Sequence, residues 1–113
     1  MRQLQQRLKR VRMLICDIDG VLTDGRLWVN EAGQWCRFFH TLDGVGLRLL
    51  MDAGYEVGVI SGGRSADVIK RVEHLQIKHV YLDAADKTPP FNDVLKKTGL
   101  TEAEIAYIGD EVY

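Results

Sequence analysis

Apolar residues along the chain come in short runs separated by loops rich in glycine and acids, and the runs alternate with stretches of helical spacing. The first run covers residues 11–16, interrupted once at Arg12, and is followed by a glycine-rich loop, the pattern of a buried strand. Residues 56–60 and 105–108 read as further apolar strands, and residues 79–82 as a shorter one. Between residues 24 and 39 the pattern becomes alternation about a turn at 30–33, which predicts a β-hairpin. Val68, Ile69, Val72 and Leu75 fall at helical spacing after the second strand. Pro89-Pro90 starts a helix that carries Val94 and Leu95 and ends at Gly99. Leu4, Leu8 and Val11 share a helical face in the basic stretch 1–12. That stretch is expected to pack on the domain as a helix, contact with a membrane surface being the other reading.

Chemistry concentrates where the strands end. The first is followed by Asp17-Ile18-Asp19-Gly20-Val21-Leu22-Thr23-Asp24-Gly25. Two carboxylates two residues apart at a strand end point to the same side. Their repulsion is costly unless a cation offsets it, and a hard divalent ion does so well. A carboxylate beside such an ion can attack phosphorus, and a second can shuttle the proton of the leaving alcohol. D-x-D-G alone also describes a solvated turn, but the whole run directly after an apolar strand is much more specific. The second strand ends in Ser61-Gly62-Gly63-Arg64-Ser65. A small hydroxyl and helix N-terminal amides there can cradle a phosphate, although alone the segment reads as an ordinary turn with Ser65 as N-cap. The third strand leads to Asp83-Ala84-Ala85-Asp86-Lys87, where the lysine supplies a cation, and the fourth to Gly109-Asp110-Glu111.

The order Asp-x-Asp, Ser, Lys, Gly-Asp-Glu, each just after a strand, resembles the haloacid dehalogenase superfamily of Mg-dependent phosphotransferases. In α/β sheets the carboxyl ends of parallel strands share one edge, so the four loops are expected to converge. The hairpin after the first motif, Phe39-His40-Thr41-Leu42-Asp43-Gly44-Val45-Gly46, Arg48, the spacing from Ser61 to Lys87 and Ala106-Tyr107-Ile108-Gly109-Asp110 resemble one family within it. That family is the 3-deoxy-D-manno-octulosonate 8-phosphate phosphatases, and the resemblance covers residues 12–113.

The resemblance implies an α/β fold, a Rossmann-like three-layer sandwich with a parallel sheet, a β-hairpin inserted after the first strand and no large cap. It implies Asp17 as nucleophile and metal ligand, and Asp19 as general acid and base with its main-chain carbonyl on Mg²⁺. Asp110 becomes the remaining protein ligand, with Glu111 in its outer shell. Ser61, Gly62 and Lys87 are implied to hold the phosphoryl oxygens. His40, Thr41, Asp43, Gly44, Arg48, Arg64 and Arg71 are implied to contact the sugar acid, partly across a subunit boundary. The implied activity is Mg-dependent hydrolysis of the sugar-acid phosphate through an aspartyl-phosphate. The enzyme would be cytoplasmic, serve lipopolysaccharide biosynthesis, and form a homotetramer built around packed hairpins. A related nonulosonate 9-phosphate is the alternative substrate; a catalytically impaired fragment or an interaction module is the alternative role.

The chain departs from the family pattern in three places. An ungapped reading puts Gly63 at the family's arginine position and Arg64 one residue late, and Glu111 stands where the family has aspartate. The family also continues with a helix, an edge strand and a tail. The 113 residues therefore read as a single domain, residues 1–113, that is either a fragment at its C-terminal end or covered there by a partner.

Bulk properties narrow the rest. A hydrophobic content of 46% and a charged content of 27% are those of a globular domain. A formal net charge of −1 gives no support for a nucleic-acid partner, and no apolar run is long enough to span a membrane. Cys16 and Cys36 fit no zinc or redox spacing, so Cys16 is expected as a buried free thiol. No P-loop or dinucleotide fingerprint occurs. A phospho-accepting receiver module has the acceptor aspartate after its third strand and the lysine after its fifth, an order this chain does not have. Trp28, Trp35, Phe38 and Phe39 crowd the hairpin, either as core or as an oligomer interface.

Overall fold

The computed structural model describes residues 2–109. Asp110 and Glu111, both expected at the site, lie outside the described residues. Four strands form one parallel sheet: β1 (Met13–Cys16), β4 (Glu56–Ile60), β5 (His79–Tyr81) and β6 (Ile105–Ile108), in the order β5-β4-β1-β6. The register pairs Cys16 with Val59 on one side and with Ile108 on the other. Between β1 and β4 come the antiparallel hairpin β2 (Thr23–Val29) and β3 (Trp35–Phe39), then α2 (Thr41–Asp52).

Strand alternation sorts the core into two layers. Cys16, Val57 and Val59 face Leu47 of α2 and Val68, Val72 and Leu75 of α3 (Ala66–Leu75). Met13, Ile15 and Ile60 face Val94 of α4 (Thr88–Thr98), with Phe91 and Leu100 packed alongside. Both faces of β1 and β4 are covered, which is why these strands read as nearly unbroken apolar runs rather than as alternating ones. Burying each such aliphatic side chain is worth about 1.5–3 kcal/mol. The helices begin and end where the sequence punctuates them. α4 has prolines in its first turn and stops at Gly99, whose φ of 73° closes the helix in the left-handed region that glycine tolerates.

One expectation fails. The basic N-terminal segment does form a helix, α1 (Arg2–Arg10), but it buries none of its residues on the domain. Leu4 and Leu8 stay more than half exposed. Two leucines flanked by Arg2, Arg7, Lys9 and Arg10 make too narrow a stripe to desolvate.

The hairpin settles the question of its rings. Asn30 Oδ1 accepts from the N–H of Ala32 and of Gln34, at 3.0 and 2.9 Å, which closes the turn. Every residue of β2 after Thr23 is exposed, and Trp28, Trp35 and Phe38 lie at the surface with Leu27 and Val29. They are therefore not core; Phe39 alone of the four packs against the core facing α2 and α3. In the parallel sheet β6 is an edge strand among the described residues, with Tyr107 and Ile108 exposed.

Candidate functional site

Asp17 leaves β1 at its carboxyl end. Its N–H donates to the Ile108 carbonyl at 2.9 Å, which keeps β1 zipped to β6 one residue past the ladder. The residue is 5% exposed. Its Oδ1 accepts from the Ile18 N–H at 2.8 Å, and its Oδ2 lies 3.1 Å from Lys87 Nζ. Lys87 Nζ also donates to the Tyr107 hydroxyl at 3.2 Å. Lys87 stands at the N-cap position of α4, after the strand two positions away from β1, so its arrival depends on the loop before it. That loop is pinned to the end of β4: Ala84 N–H donates to Ser61 O at 2.9 Å and Asp83 N–H to Gly63 O at 3.2 Å. Asp83 takes a left-handed φ of 57° to make the turn.

Ser61 closes β4 beside Asp17 and is buried. Its N–H bonds Tyr81 O at 2.8 Å, and its Oγ accepts from Gly63 N–H at 3.3 Å. The hydroxyl proton thus remains to be donated to an anion. Three strand ends, β1, β4 and β6, with the loop after β5, meet at one edge, as strand order requires in such sheets.

Asp19 sits one turn further on. Gly20 has a φ of 78°, which bends the chain away from the strand, and the Ile18 carbonyl accepts the N–H groups of Val21, Leu22 and Thr23. The Asp19 carboxylate meets Arg37 of β3, Oδ1 to Nε at 2.6 Å. The Arg37 Nη1 donates to Ser65 Oγ at 3.0 Å and to Asp67 Oδ1 at 3.3 Å, while its backbone N–H donates to Asp67 Oδ2 at 2.8 Å. The hydrogen bond that Arg37 donates to Asp19 holds the Arg37 pKa above its ordinary value, against burial. Burial pushes the Asp67 pKa up, but the Ser65 hydroxyl, the N–H groups of Arg37 and Val68 and the Arg37 charge outweigh it and the net direction is down. Ser65 does occupy the N-cap of α3, yet its hydroxyl turns to Asp67 instead of capping the helix.

The residues expected to touch the sugar acid are spread more widely. His40 caps α2, its Nδ1 accepting from Leu42 N–H at 3.0 Å, and its carbonyl accepts from Arg71 Nη2 at 3.1 Å. Thr41 and Asp43 are exposed in the first turn of α2. A Cβ on Gly44 would lie 2.7 Å from Arg71 Nη2 and 2.9 Å from Leu75, so glycine there lets α2 approach α3. Arg71 lies over the Phe39 ring at 5.7 Å. Arg48 bonds the Leu75 carbonyl, Gln76 and Asp52, at the far end of α3 from Ser65. Arg64 lines a separate hollow of about 350 Å³ with Val72, Ile77 and Val80. Gly62 follows Ser61, with the Ala84 carbonyl at ordinary contact distance, 3.8 Å, from where a Cβ would be.

Residue order did not reveal Arg37 as the partner of Asp19, Ser65 and Asp67 as partners of Arg37, or Tyr107 as a neighbour of Lys87. A lone cation among the aromatic residues 35–39 was the available signal for Arg37.

The carboxylate of Asp17 at the end of β1 is an oxygen donor of the kind a hard divalent cation takes, with Lys87 Nζ on its other side. Asp110 lies outside the described residues. Among the described residues no group of three or more His, Cys, Asp or Glu could hold a metal ion. None of the described helices is long and apolar enough to cross a membrane.

No protein-family model matches the chain. It is 40% identical over 108 residues to a 3-deoxy-D-manno-octulosonate 8-phosphate phosphatase of Haemophilus influenzae, spanning 96% of this chain and 60% of that protein. A hydrolase assigned to the haloacid dehalogenase superfamily (subfamily III A) from Legionella pneumophila superposes with a TM-score of 0.94 at 42% identity, over 99% of this chain and 62% of that one. The 3-deoxy-D-manno-octulosonate 8-phosphate phosphatase of Moraxella catarrhalis, solved with a magnesium ion, a phosphate ion and a KDO molecule, superposes with a TM-score of 0.90 at 34% identity. The match covers 97% of this chain and 63% of that one. The chain thus spans about 60% of the length of the relatives it matches.

The two thiols next to this site should behave differently. Burial, with the charges of Asp43 and Asp17 adding to it, pushes the Cys16 pKa up to about 11, whereas Cys36 is partly exposed on the hairpin. The thiolate is the reactive form. Raising the Cys16 pKa to about 11 lowers its thiolate fraction at pH 8 on the order of 100-fold below that of an ordinary thiol, so a disulfide reagent should label the partly exposed Cys36 first and Cys16 far more slowly. Equal rates for both thiols in the folded protein would contradict the burial of β1.

Proposed function

Since the chain belongs to the 3-deoxy-D-manno-octulosonate 8-phosphate phosphatase family of the haloacid dehalogenase superfamily, we propose that it hydrolyses the phosphate monoester of a sugar acid, 3-deoxy-D-manno-octulosonate 8-phosphate, with a divalent cation, Mg²⁺, as cofactor. The observation that carries the reading is the contact of Lys87 Nζ with Asp17 Oδ2 at 3.1 Å, between residues 70 apart in sequence. It joins a buried carboxylate to a cation at the sheet edge where ligands bind in this architecture.

The chemistry follows from these positions. An Asp17 oxygen attacks phosphorus, the ester P–O bond breaks, and Asp19 gives its proton to the leaving alkoxide. Water then attacks the same phosphorus with Asp19 taking a proton, and the acyl-phosphate bond breaks to return Asp17 and release inorganic phosphate. Lys87, the Ser61 hydroxyl and the amides after it, including that of Gly62, donate to the phosphoryl oxygens as charge builds. Asp17, the Asp19 carbonyl and Asp110 would hold the cation, with Glu111 as an outer partner, and the bound ion would neutralise charge on the transferring phosphoryl group. His40, Thr41, Asp43 and Gly44 at the start of α2, together with Arg48, Arg64 and Arg71, are the candidates for the sugar acid. A cytoplasmic place in lipopolysaccharide biosynthesis goes with that substrate. The exposed hairpin rings support assembly as a homo-oligomer, a tetramer in which hairpins pack together.

Phosphate release over a sugar-phosphate panel with Mg²⁺ tests the activity. Asp17→Asn should abolish turnover with the fold intact, and Asp19→Asn should cut kcat about 10²–10⁴-fold, the range of general acid–base assistance. Retained activity in Asp17→Asn removes the covalent route, and a wild-type chain inert toward the whole panel favours the impaired fragment or interaction module. Activity confined to a nonulosonate 9-phosphate moves the substrate, not the chemistry.

Calorimetry on Asp110→Ala tests the ligand set, because Mg²⁺ bound through few carboxylates should lose most of its affinity when one is removed. Unchanged affinity excludes Asp110.

Light scattering tests assembly. Wet apolar area costs roughly 25 cal/mol per Å², so Trp28, Trp35 and Phe38 should be covered in an oligomer that Trp35→Glu dissociates. A well-folded monomer at high concentration contradicts it.

A further inference from the structure

We infer that Arg37 is a positioning residue for Asp19, so that the proton-transfer carboxylate takes its place from the hairpin rather than from its own loop. The inference rests on reading Asp19 as the general acid and base. Asp19 lies on a glycine turn with its side chain 57% exposed, and among the described residues its carboxylate bonds Arg37. A carboxylate so exposed has several rotamers to choose among, and proton transfer needs one of them. Arg37, by contrast, is over-determined. Its side chain is 18% exposed, Nη1 is held by Ser65 and Asp67 at the start of α3, and its main-chain N–H is held by Asp67 as well. That leaves Nε aimed at Asp19 from a fixed base. The planar guanidinium fork suits this use, because anchoring one edge orients the other.

The three partners lie 18, 28 and 30 residues away in sequence, so the joint exists only where β3, the loop after β1 and the N-terminus of α3 meet. Arg37 stands opposite Leu27 in the hairpin register, within a ribbon whose outer residues are exposed apolar ones. Seating that ribbon therefore also seats the guanidinium, and a shift of the hairpin moves the group that aims Asp19.

The test compares wild type, Arg37→Gln, Arg37→Lys, Asp19→Asn and the Asp19→Asn/Arg37→Gln double variant, with thermal unfolding to confirm that each is folded. Misplacing a catalytic group costs up to about 10²-fold. Arg37→Gln should lose kcat on that scale with KM unchanged within about twofold, Arg37→Lys should recover part of the loss, and Arg37→Gln should cost almost nothing in the Asp19→Asn background. Losses that multiply in the double variant, a rise in KM at constant kcat, or a gain in kcat overturn the inference; the second of these makes Arg37 a substrate contact. Crystal structures read the same point without turnover. Asp19 should keep one orientation in wild type and in Arg37→Lys and spread over several in Arg37→Gln. An Asp19 that stays in place in folded Arg37→Gln overturns the inference even if the chain proves inactive on every sugar phosphate, a result that would by itself sink only the phosphatase reading.

Discussion

A carboxylate buried at the end of a central strand has to be met by a cation, and the arrangement of this domain follows from how that is done. Asp17 has β4 on one side and β6 on the other, and little of it reaches solvent. The effective penalty for such a charge is several kcal/mol unless it is paired. Lys87 supplies the pairing from the far side of β4. It can do so because backbone hydrogen bonds from Asp83 and Ala84 lay the loop after β5 across the end of β4. The strand order is thus a condition of the site and not only its support. The parallel β1–β4 and β4–β5 pairs put the carboxylate, the hydroxyl of Ser61 and the approach of the lysine along one edge.

The second carboxylate is held by a different logic. Asp19 is outside the packed layers, and its orientation comes from an ion pair to the hairpin that is itself anchored on α3. An exposed ion pair contributes little to stability, so its value lies in geometry. The hairpin therefore combines Arg37, which is held by the start of α3, with exposed rings and aliphatic residues, of which Leu27, Val29 and Trp35 share the face of Arg37 by register. Tyr107 and Ile108 of the edge strand β6 are exposed as well, among the described residues.

Much of this was legible in residue order. The apolar runs of β1 and β4, the prolines and Gly99 bounding α4, the hairpin and its turn all announce themselves locally, and so does the placing of Asp17, Ser61 and Lys87 after successive strands. Where the reading failed, the competing term was not local. The spacing of Leu4 and Leu8 promised a packed helix, but whether a stripe is wide enough to desolvate depends on the surface offered to it, and α1 buries none of its residues. The dense rings of the hairpin allowed either core or surface, and only the packing of the sheet layers put most of them outside.

Residue order alone sets the α/β class and the chemistry available at each strand end, because hydrophobic period and turn residues act over a few positions. It also sets family membership, through the order of those ends. Tertiary structure decided which of those groups touch. Lys87 on Asp17 and Tyr107, and Arg37 on Asp19, Ser65 and Asp67, are contacts across 18 to 70 residues. It also turned Arg48 and Gly44 to the packing of α2 against α3. No local pattern encodes such pairings, since they depend on strand order, on loop placement and on which burial costs had to be offset once the layers had closed.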